Sequence, residues 1–363
     1  MLARTRRRLA TSGITPRQDP VLAPGSDPRI LFLMSGSDDY VSDGLVHGLR
    51  HLIGERVVDW PRADQLYAGT PPEHRARRYG RGFTLYSGLL EDLPIDRTWI
   101  TERVSEGEFD VVVVADITRR SGALVELMRV LPPSSTLVVV DGADTPKLSQ
   151  QAPRSLLAPG GLLALRALRH AAFYFKREIT PLTARSRAWW LLPEGLAQRV
   201  VGSRGLLPVG ISIPAELVVE STDGPRDQRF QTHLVDPEVA ALEGRTVEKP
   251  FTEQADYVAD LRRSRFGITV KREGWDALRH YELAAAGAIP CFRHLHAKPA
   301  DCAPHGLVDG VNCLAYDSAA ELVARIEALT PEQERALREQ AVAWARDHTT
   351  VAEATRFLRA IGH

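Results

Sequence analysis

The sequence predicts an α/β protein with two domains, each built around a parallel sheet. Short apolar runs alternate with segments of helical periodicity in both halves of the chain, which is the pattern of doubly wound sheets. The chain has 363 residues, enough for two domains of ordinary size. Its contents of 44% hydrophobic and 25% charged residues are typical of soluble globular proteins.

The first half of the chain begins with a β-α-β unit. The run 29–34 is apolar and predicts a buried strand, and Gly54 ends the helical pattern of 43–54. The continuous valines within 109–116 predict a strand that is buried on both faces. Further strands are predicted at 57–60, 135–141 and 172–177, with a helix at 121–130.

The second half repeats the strand-helix pattern after the chain crosses between domains near 206–210. Thr330 before Pro331 predicts a helix start, because proline is favoured at the first helical position. Strands are predicted at 230–235, 266–270, 288–292 and 311–316. Helices are predicted at 253–263, 277–286, 318–329, 331–348 and 350–361.

These elements place the domain boundaries. Residues 1–28 are expected to form a disordered tail, because the segment is basic and has no apolar core. Residues 29–208 would form the N-terminal domain and 209–345 the C-terminal domain. Residues 346–363 would form a C-terminal helix that could pack back on the N-terminal domain.

Composition argues against several classes of protein. The formal net charge of +0 lacks the electrostatic footprint of a general nucleic-acid binder. No apolar run reaches the ~20 residues that an integral membrane segment needs. The basic start at 1–10 has no apolar run behind it, so it is not a secretory signal, and a transit peptide is the less favoured interpretation. Three cysteines fit a reducing compartment, so a cytoplasmic location is expected.

The most informative motif is the strand-turn-helix segment 265–292. Its turn carries Lys271 and Arg272, and its helix carries Arg279 and, one turn further, Glu282. A helix N-terminus and basic side chains favour phosphates, and a helix carboxylate can accept hydrogen bonds from ribose hydroxyls. The motif therefore predicts a site for a nucleotide diphosphate. The same segment adds two further candidate contacts, Trp275 and His280.

This segment resembles the donor-binding signature of GT-B glycosyltransferases, and the resemblance implies two Rossmann-like domains that face each other across a cleft. The shared residues are Tyr281-Glu282, Gly287 and Ile289-Pro290, in the pattern Arg…Tyr-Glu-x-x-Ala-x-Gly-x-Ile-Pro of exostosin-like and related bacterial enzymes. The resemblance continues through 310–314 and the helix at 318–326. It covers roughly 264–326, and the N-terminal half only by fold pattern. It implies that Lys271, Arg272, Trp275, Arg279, His280 and Glu282 bind a nucleotide-activated sugar.

One position departs from the family pattern. Retaining members of the superfamily often carry two glutamates eight residues apart, and the second would be Glu282. Eight residues earlier stands Gly274, which is flanked by Glu273 and Asp276. Either flanking carboxylate could substitute for the first glutamate. Retention or inversion of the anomeric centre is therefore left undecided.

Carboxylates that could act as a general base follow the strands of the N-terminal domain, where α/β proteins bind ligands. They are Asp38 and Asp39 after the first strand, Asp116 after the valine strand, and Asp141 and Asp144 after the next. Together with Asp276, the residues Asp39, Asp116 and Asp144 form the predicted catalytic set. Each of these aspartates could instead be a turn or cap residue.

The insertion 61–100 mixes aromatic residues with arginines. We expect Arg77, Arg78 and Arg81, together with Asp38, to contact the acceptor, because guanidinium groups suit anionic groups on a glycan or lipid-linked molecule. A long insertion within a compact domain is often functional. The alternative is a lid or surface excursion that binds no ligand.

Two Cys-x-x-His pairs, at 291–294 and 302–305, have a spacing found in zinc sites. Because Cys291 lies in a predicted buried strand, a structural thiol is the better interpretation. No cofactor and no metal are expected at the active site, since Lys271, Arg272 and Arg279 could neutralise a departing diphosphate.

The sequence therefore favours a glycosyltransferase that takes a sugar from a nucleotide diphosphate and transfers it to a glycan, a lipid-linked molecule or a small molecule. A non-catalytic nucleotide- or glycan-binding module of the same fold is the alternative. An NAD-dependent enzyme is disfavoured, because no glycine fingerprint follows the first strand.

Overall fold

The computed structural model describes residues 27–36, 39–71, 73, 85–115, 121–146, 171–180, 183, 206–247 and 250–363. Nearly all of the predicted tail lies outside these described residues. Five predicted site residues also lie outside them: Asp38, Arg77, Arg78, Arg81 and Asp116.

The N-terminal domain contains a six-stranded sheet in the order β2-β1-β3-β4-β5-β6, and every neighbouring pair is parallel. The apolar runs that predict the strands are buried in it, as continuous burial on both faces requires. Its strands are β1 (Ile30–Leu33), β2 (Val57–Trp60), β3 (Val111–Val114), β4 (Thr136–Asp141), β5 (Phe173–Lys176) and β6 (Leu206–Pro208). Its described helices are α1 (Tyr40–Ile53), α2 (Ile100–Ser105) and α3 (Ser121–Val130).

The C-terminal domain contains a four-stranded parallel sheet in the order β10-β9-β8-β7. Its strands are β7 (Gln228–Phe230), β8 (Ser264–Thr269), β9 (Ile289–Arg293) and β10 (Leu314–Tyr316). Its helices are α4 (Pro237–Leu242), α5 (Gln254–Arg263), α6 (Leu278–Ala285), α7 (Ala319–Glu327) and α8 (Pro331–Asp347). Helix α8 starts at Pro331 with a capping box between Thr330 and Gln333, as the sequence predicts.

The last helix, α9 (Thr350–Ala360), lies against α1 of the N-terminal domain. Glycine at position 48 allows this close approach, because a Cβ there would lie 1.9 Å from the carbonyl oxygen of Thr350. One apolar core accordingly contains Phe32 of β1, Tyr281 of α6, Trp344 of α8 and Phe357 of α9. The two domains are therefore packed against each other through a shared core.

Two predicted strands are shorter than expected. The strand predicted at 230–235 lies instead at Gln228–Phe230. It ends there because the Gln231 side chain makes the next hydrogen bonds to β8. Its amide donates to Ile268 O and its oxygen accepts from Ile268 N, both at 2.9 Å. The strand predicted at 311–316 starts only at Leu314, since Asn312 instead closes a loop by accepting from Val308 N at 2.8 Å.

The predicted crossover near 206–210 begins with a strand. Residues Leu206–Pro208 form β6 at the edge of the first sheet, so the chain leaves the N-terminal domain only after Pro208. Among the helices that the structure describes, none is long and apolar enough to cross a membrane.

Candidate functional site

A cleft with a cavity of about 330 Å³ lies between the domains, beyond the carboxyl ends of β7 and β8. This is where open parallel sheets bind ligands. His233 follows β7, Thr269 ends β8, and the opposite wall contributes Tyr40 of α1 and Leu85. The volume falls within the range of small-molecule sites.

The N-terminus of α6 opens into this cleft. Ala277 precedes the helix in an extended conformation (φ −140°, ψ 139°) and makes no side-chain cap hydrogen bond. The first turn has no acidic residue, and it contributes Leu278 and Arg279 to the cleft wall. Backbone N–H groups at an uncapped helix start, together with the helix dipole, favour an anion. The N-terminus of α6 is therefore suited to bind an anion.

Arg279 is the cation closest to this helix start along the chain. Its Nη2 lies 3.1 Å from Nδ1 of His233, and its guanidinium carbon is 5.9 Å from the ring centroid of Tyr257. Its Nη1 is buried and has no hydrogen-bond partner among the described residues. A buried donor without a partner costs about 1–3 kcal/mol, so a ligand oxygen at this position would be stabilising.

Glu282 lies one turn further along α6. Its Oε2 accepts a hydrogen bond from the Tyr257 hydroxyl at 2.6 Å. Burial raises the pKa of Tyr257 well above its ordinary value, so the phenol keeps the proton that it donates. Phe251 packs 5.7 Å from the Tyr257 ring and adds an apolar surface to the same wall. The carboxylate is therefore held at the edge of the cleft by an aromatic neighbour.

The two basic residues of the turn between β8 and α6 point to different places. Arg272 lines the cleft. Lys271 is exposed and folds onto its own turn, where Nζ donates to the carbonyl oxygens of Arg272 and Glu273 at 3.3 and 3.2 Å. Its Nζ also lies 5.7 Å from the ring centroid of Trp275. Trp275 packs towards Phe292 with ring centroids 6.3 Å apart and is not among the cleft-lining residues.

His280 is buried and faces the protein interior. Its Nδ1 lies 2.8 Å from Thr269 Oγ1, its Nε2 lies 2.9 Å from Trp275 O, and its ring stacks on Phe292. Burial lowers the pKa of His280 to about 4, so the imidazole is neutral at physiological pH. Both ring nitrogens hold protein partners, and we therefore leave His280 out of the proposed ligand contacts.

Asp276 is enclosed at the domain interface, with an exposed fraction of 3%. Its Oδ2 accepts from Ile211 N at 2.8 Å and its Oδ1 accepts from the Tyr281 hydroxyl at 2.8 Å. Burial raises the pKa of Asp276 to about 6, partly opposed by the nearby Arg177. The geometry gives Asp276 a positioning role, in which it fixes the start of α6 against the segment that enters the C-terminal domain.

Gly274, which stands eight residues before Glu282, is in close contact with the N-terminal domain. A Cβ on Gly274 would lie 2.4 Å from Oε1 of Glu178, which is buried at the end of β5. The same Glu178 oxygen accepts from Asp276 N at 3.0 Å. The turn of the C-terminal domain therefore docks on a carboxylate of the N-terminal domain, and a side chain at position 274 would have to displace the Glu178 carboxylate.

The N-terminal rim contributes carboxylates that are already hydrogen bonded. Asp39 caps α1 by accepting from Val41 N and Ser42 N, each at 3.2 Å. Asp144 pairs with Arg177 and is nearly half exposed. Of the predicted catalytic set, the structure thus places Asp39 and Asp144 at the rim, with Asp276 in the interface.

The cleft also contains residues that the sequence did not single out. Tyr257, His233 and Tyr40 come from three different elements and meet only in the folded chain. His233 carried a signal, because it follows the carboxyl end of β7 just as the rim aspartates follow their strands. Tyr40 carried the same signal, because it stands next to Asp39 after β1. Tyr257 had no comparable signal, since it is one aromatic residue on a helix.

The Cys-x-x-His pairs do not meet. Cys291 is buried in β9, and the Cys302 thiol donates to Glu178 Oε2 at 3.1 Å. Within the described part of the chain, the group of three or more side chains that could hold a metal ion is His47, His51 and Glu216, which contains neither cysteine.

Comparisons with known proteins give the fold. No family model matches the chain, and no curated protein matches it. HepE (Alr3699) of Anabaena, solved in complex with UDP, is similar at a TM-score of 0.52 and 11% identity, over 92% of this chain and 99% of that chain. Sucrose-phosphate synthase of Thermosynechococcus elongatus is similar at a TM-score of 0.50 and 14% identity, over 91% and 97%. The chain has the two-domain fold of GT-B glycosyltransferases, which confirms the predicted fold class.

Proposed function

We propose that this protein is a glycosyltransferase that takes a sugar from a nucleotide diphosphate and transfers it to an acceptor bound against the N-terminal domain. The observation that carries the proposal is the uncapped N-terminus of α6, which opens into the interdomain cleft beside the buried, unpartnered Nη1 of Arg279. These two features converge on one anion-binding position at the place where this fold binds ligands.

The diphosphate would lie across the start of α6. Arg279 can present two N–H groups to phosphate oxygens, and Arg272 adds a second cation on the same wall. Lys271 is held by its own turn and would act at longer range. Because the chain supplies cations and helix N–H groups, we propose that no divalent metal is needed for departure of the diphosphate.

The nucleoside would lie on the Tyr257 side of the cleft. An ionised carboxylate has about four lone-pair sites, so Glu282 can hold Tyr257 and still accept from ribose hydroxyls. Phe251 and Tyr257 offer ring faces within the same wall. UDP is the first nucleotide to test, because HepE of the same fold was solved with UDP.

The acceptor would lie against the start of α1. Tyr40 lines the cleft, and Asp39 immediately before it is the rim carboxylate that we propose as general base for the acceptor hydroxyl. Asp144 is the second candidate, because it lies beside the turn at Gly274. The stereochemical outcome of the reaction is part of what the activity assay would establish.

The proposal is tested by calorimetry and turnover on the purified full chain. We expect one of UDP, GDP, ADP or CDP to bind, and the matching nucleotide sugars to release that nucleoside diphosphate in the presence of a chelator. Failure of all four nucleotides to bind would overturn the proposal. Nucleotide binding without turnover of any sugar conjugate, across a panel of acceptors, would instead support the non-catalytic module.

The acceptor side has its own test. We propose that Arg77, Arg78 and Arg81, outside the described residues, contact an anionic acceptor. Replacing all three with alanine should abolish the dependence of turnover on acceptor while donor binding and slow donor hydrolysis survive. Equal loss of both substrates, or of neither, would place the acceptor elsewhere.

A further inference from the structure

Helix α1 carries two histidines one turn apart, away from the cleft. His47 and His51 are at i and i+4, so they project from the same face of the helix. Glu216, on the short helical turn Ala215–Leu217 that follows β6, reaches the same face. None of these three residues lines the donor cleft.

The three side chains bring their ligand atoms together. His47 Nε2 lies 3.2 Å from His51 Nε2, and His51 Nε2 lies 3.6 Å from Glu216 Oε1. All three ligand atoms lie within 4.8 Å of one another. Two nitrogens on a tetrahedral zinc ion with bonds of about 2.0–2.1 Å stand roughly 3.3 Å apart. The separations of 3.2 and 3.6 Å that involve His51 are therefore close to the spacing of neighbouring corners of one coordination tetrahedron.

The buried histidine is oriented as a metal ligand requires. His47 Nδ1 lies 2.8 Å from Thr350 Oγ1 of α9, and Thr350 is itself fully buried. With its proton on Nδ1 and donated to that hydroxyl, His47 presents the lone pair of Nε2 to His51. Ligating histidines nearly always donate their second ring nitrogen in this way, which fixes the tautomer and the ring orientation.

We propose that His47, His51 and Glu216 bind a divalent cation of the zinc class, with water as the fourth ligand. Imidazole and carboxylate ligands in this geometry suit zinc better than magnesium or calcium, which prefer all-oxygen shells. The ion would join α1, the segment that leaves the N-terminal domain and, through Thr350, the returning helix α9. It would therefore stabilise the arrangement of the two domains without touching the donor.

The test uses the untagged full chain, stripped with a chelator and dialysed. Zinc titration followed by calorimetry and elemental analysis should give one ion per chain and a raised melting temperature. Cobalt in place of zinc should give the visible absorption of a tetrahedral site. The side chains of His51 and Glu216 are about half exposed, so His51→Ala and Glu216→Gln should both fold. Both variants should weaken zinc binding, and His51→Ala should weaken it at least 100-fold.

Three further variants separate a built site from chance surface binding. Thr350→Val keeps the shape of the side chain but removes the partner of His47, and should weaken zinc binding about 10- to 100-fold. His296→Ala and Glu55→Gln remove exposed residues outside the cluster and should leave zinc affinity unchanged. Absence of stoichiometric zinc binding, or binding that survives His51→Ala, would overturn the proposal. Nucleotide affinity and turnover in chelator are separate readouts, so this outcome is distinguishable from failure of the proposed function.

Discussion

The two strand-to-helix turns that face the cleft differ in what occupies the start of the helix. After β1, the helix α1 begins with the carboxylate of Asp39, which accepts from Val41 N and Ser42 N, and Asp43 follows in the first turn. After β8, the helix α6 begins at Ala277 without a side-chain cap, and Arg279 stands in its first turn.

This difference gives the two helix starts opposite electrostatic character. The positive end of α1 is already neutralised by carboxylates of the protein, so a phosphate there would meet like charge. The positive end of α6 lies beside the Arg279 guanidinium, so both the helix dipole and the guanidinium would stabilise an anion there. The C-terminal wall therefore suits the diphosphate, and the N-terminal wall suits an acceptor hydroxyl that must lose a proton.

The sharpest way to break the comparison is to replace Asp39 in two ways. Asparagine caps a helix as well as aspartate does, so Asp39→Asn should preserve stability, whereas Asp39→Ala should cost about 1 kcal/mol. If Asp39 is the general base, both variants should lower turnover by about 10²–10⁴-fold with donor affinity unchanged. Turnover that persists in Asp39→Asn but falls in Asp39→Ala would assign Asp39 to capping alone. Asp144→Asn tests the second candidate base in the same assay.

Removal of the cation at α6 tests the other wall. Arg279→Ala should weaken binding of the nucleotide diphosphate by about 3 kcal/mol, or roughly 150-fold, because charged hydrogen bonds to phosphate are lost. Calorimetry measures the change, and Arg335→Ala on the exposed face of α8 is the matched arginine control. Affinity equal to that of the wild type would remove Arg279 from the phosphate site.

The stabilisation that Asp276 contributes at the domain interface should depend on pH. The folded pKa of Asp276 is about 6 and its ordinary value is 3.8, so the folded state binds this proton more tightly. The resulting stabilisation is full below pH 3.8 and is lost as the pH rises through 6. Relative to wild type, Asp276→Asn should therefore gain on the order of 2 kcal/mol between pH 4 and pH 7. Chemical denaturation measures the free energy of unfolding of both proteins at each pH. If it changed with pH equally in wild type and Asp276→Asn, the expectation would be contradicted.

The smallest expected effect is at the carboxylate of α6. Glu282→Gln keeps an oxygen that can accept from Tyr257 but removes the charge, and should weaken nucleotide binding by about 1.5 kcal/mol, or roughly 10-fold. Unchanged affinity in calorimetry would exclude Glu282 from the ribose contact. Glu339→Gln, on the exposed face of α8, is the matched control.

The sequence by itself determined the α/β fold class and most element positions. The strand predicted at 57–60 is β2 as predicted, and the helix predicted at 121–130 is α3. These elements could be predicted because burial and helical spacing are local properties of the chain. The sequence also predicted the basic turn and the helix start at α6, since both lie within one continuous segment.

The tertiary structure alone decided which residues meet. Tyr257, His233 and Tyr40 enter the cleft from three elements, and no local pattern relates them. It also decided that His280 faces inwards, that Asp276 is enclosed, and that Glu178 packs against Gly274. The direction of a side chain depends on which surface packs against its element, and that surface comes from residues distant in the sequence.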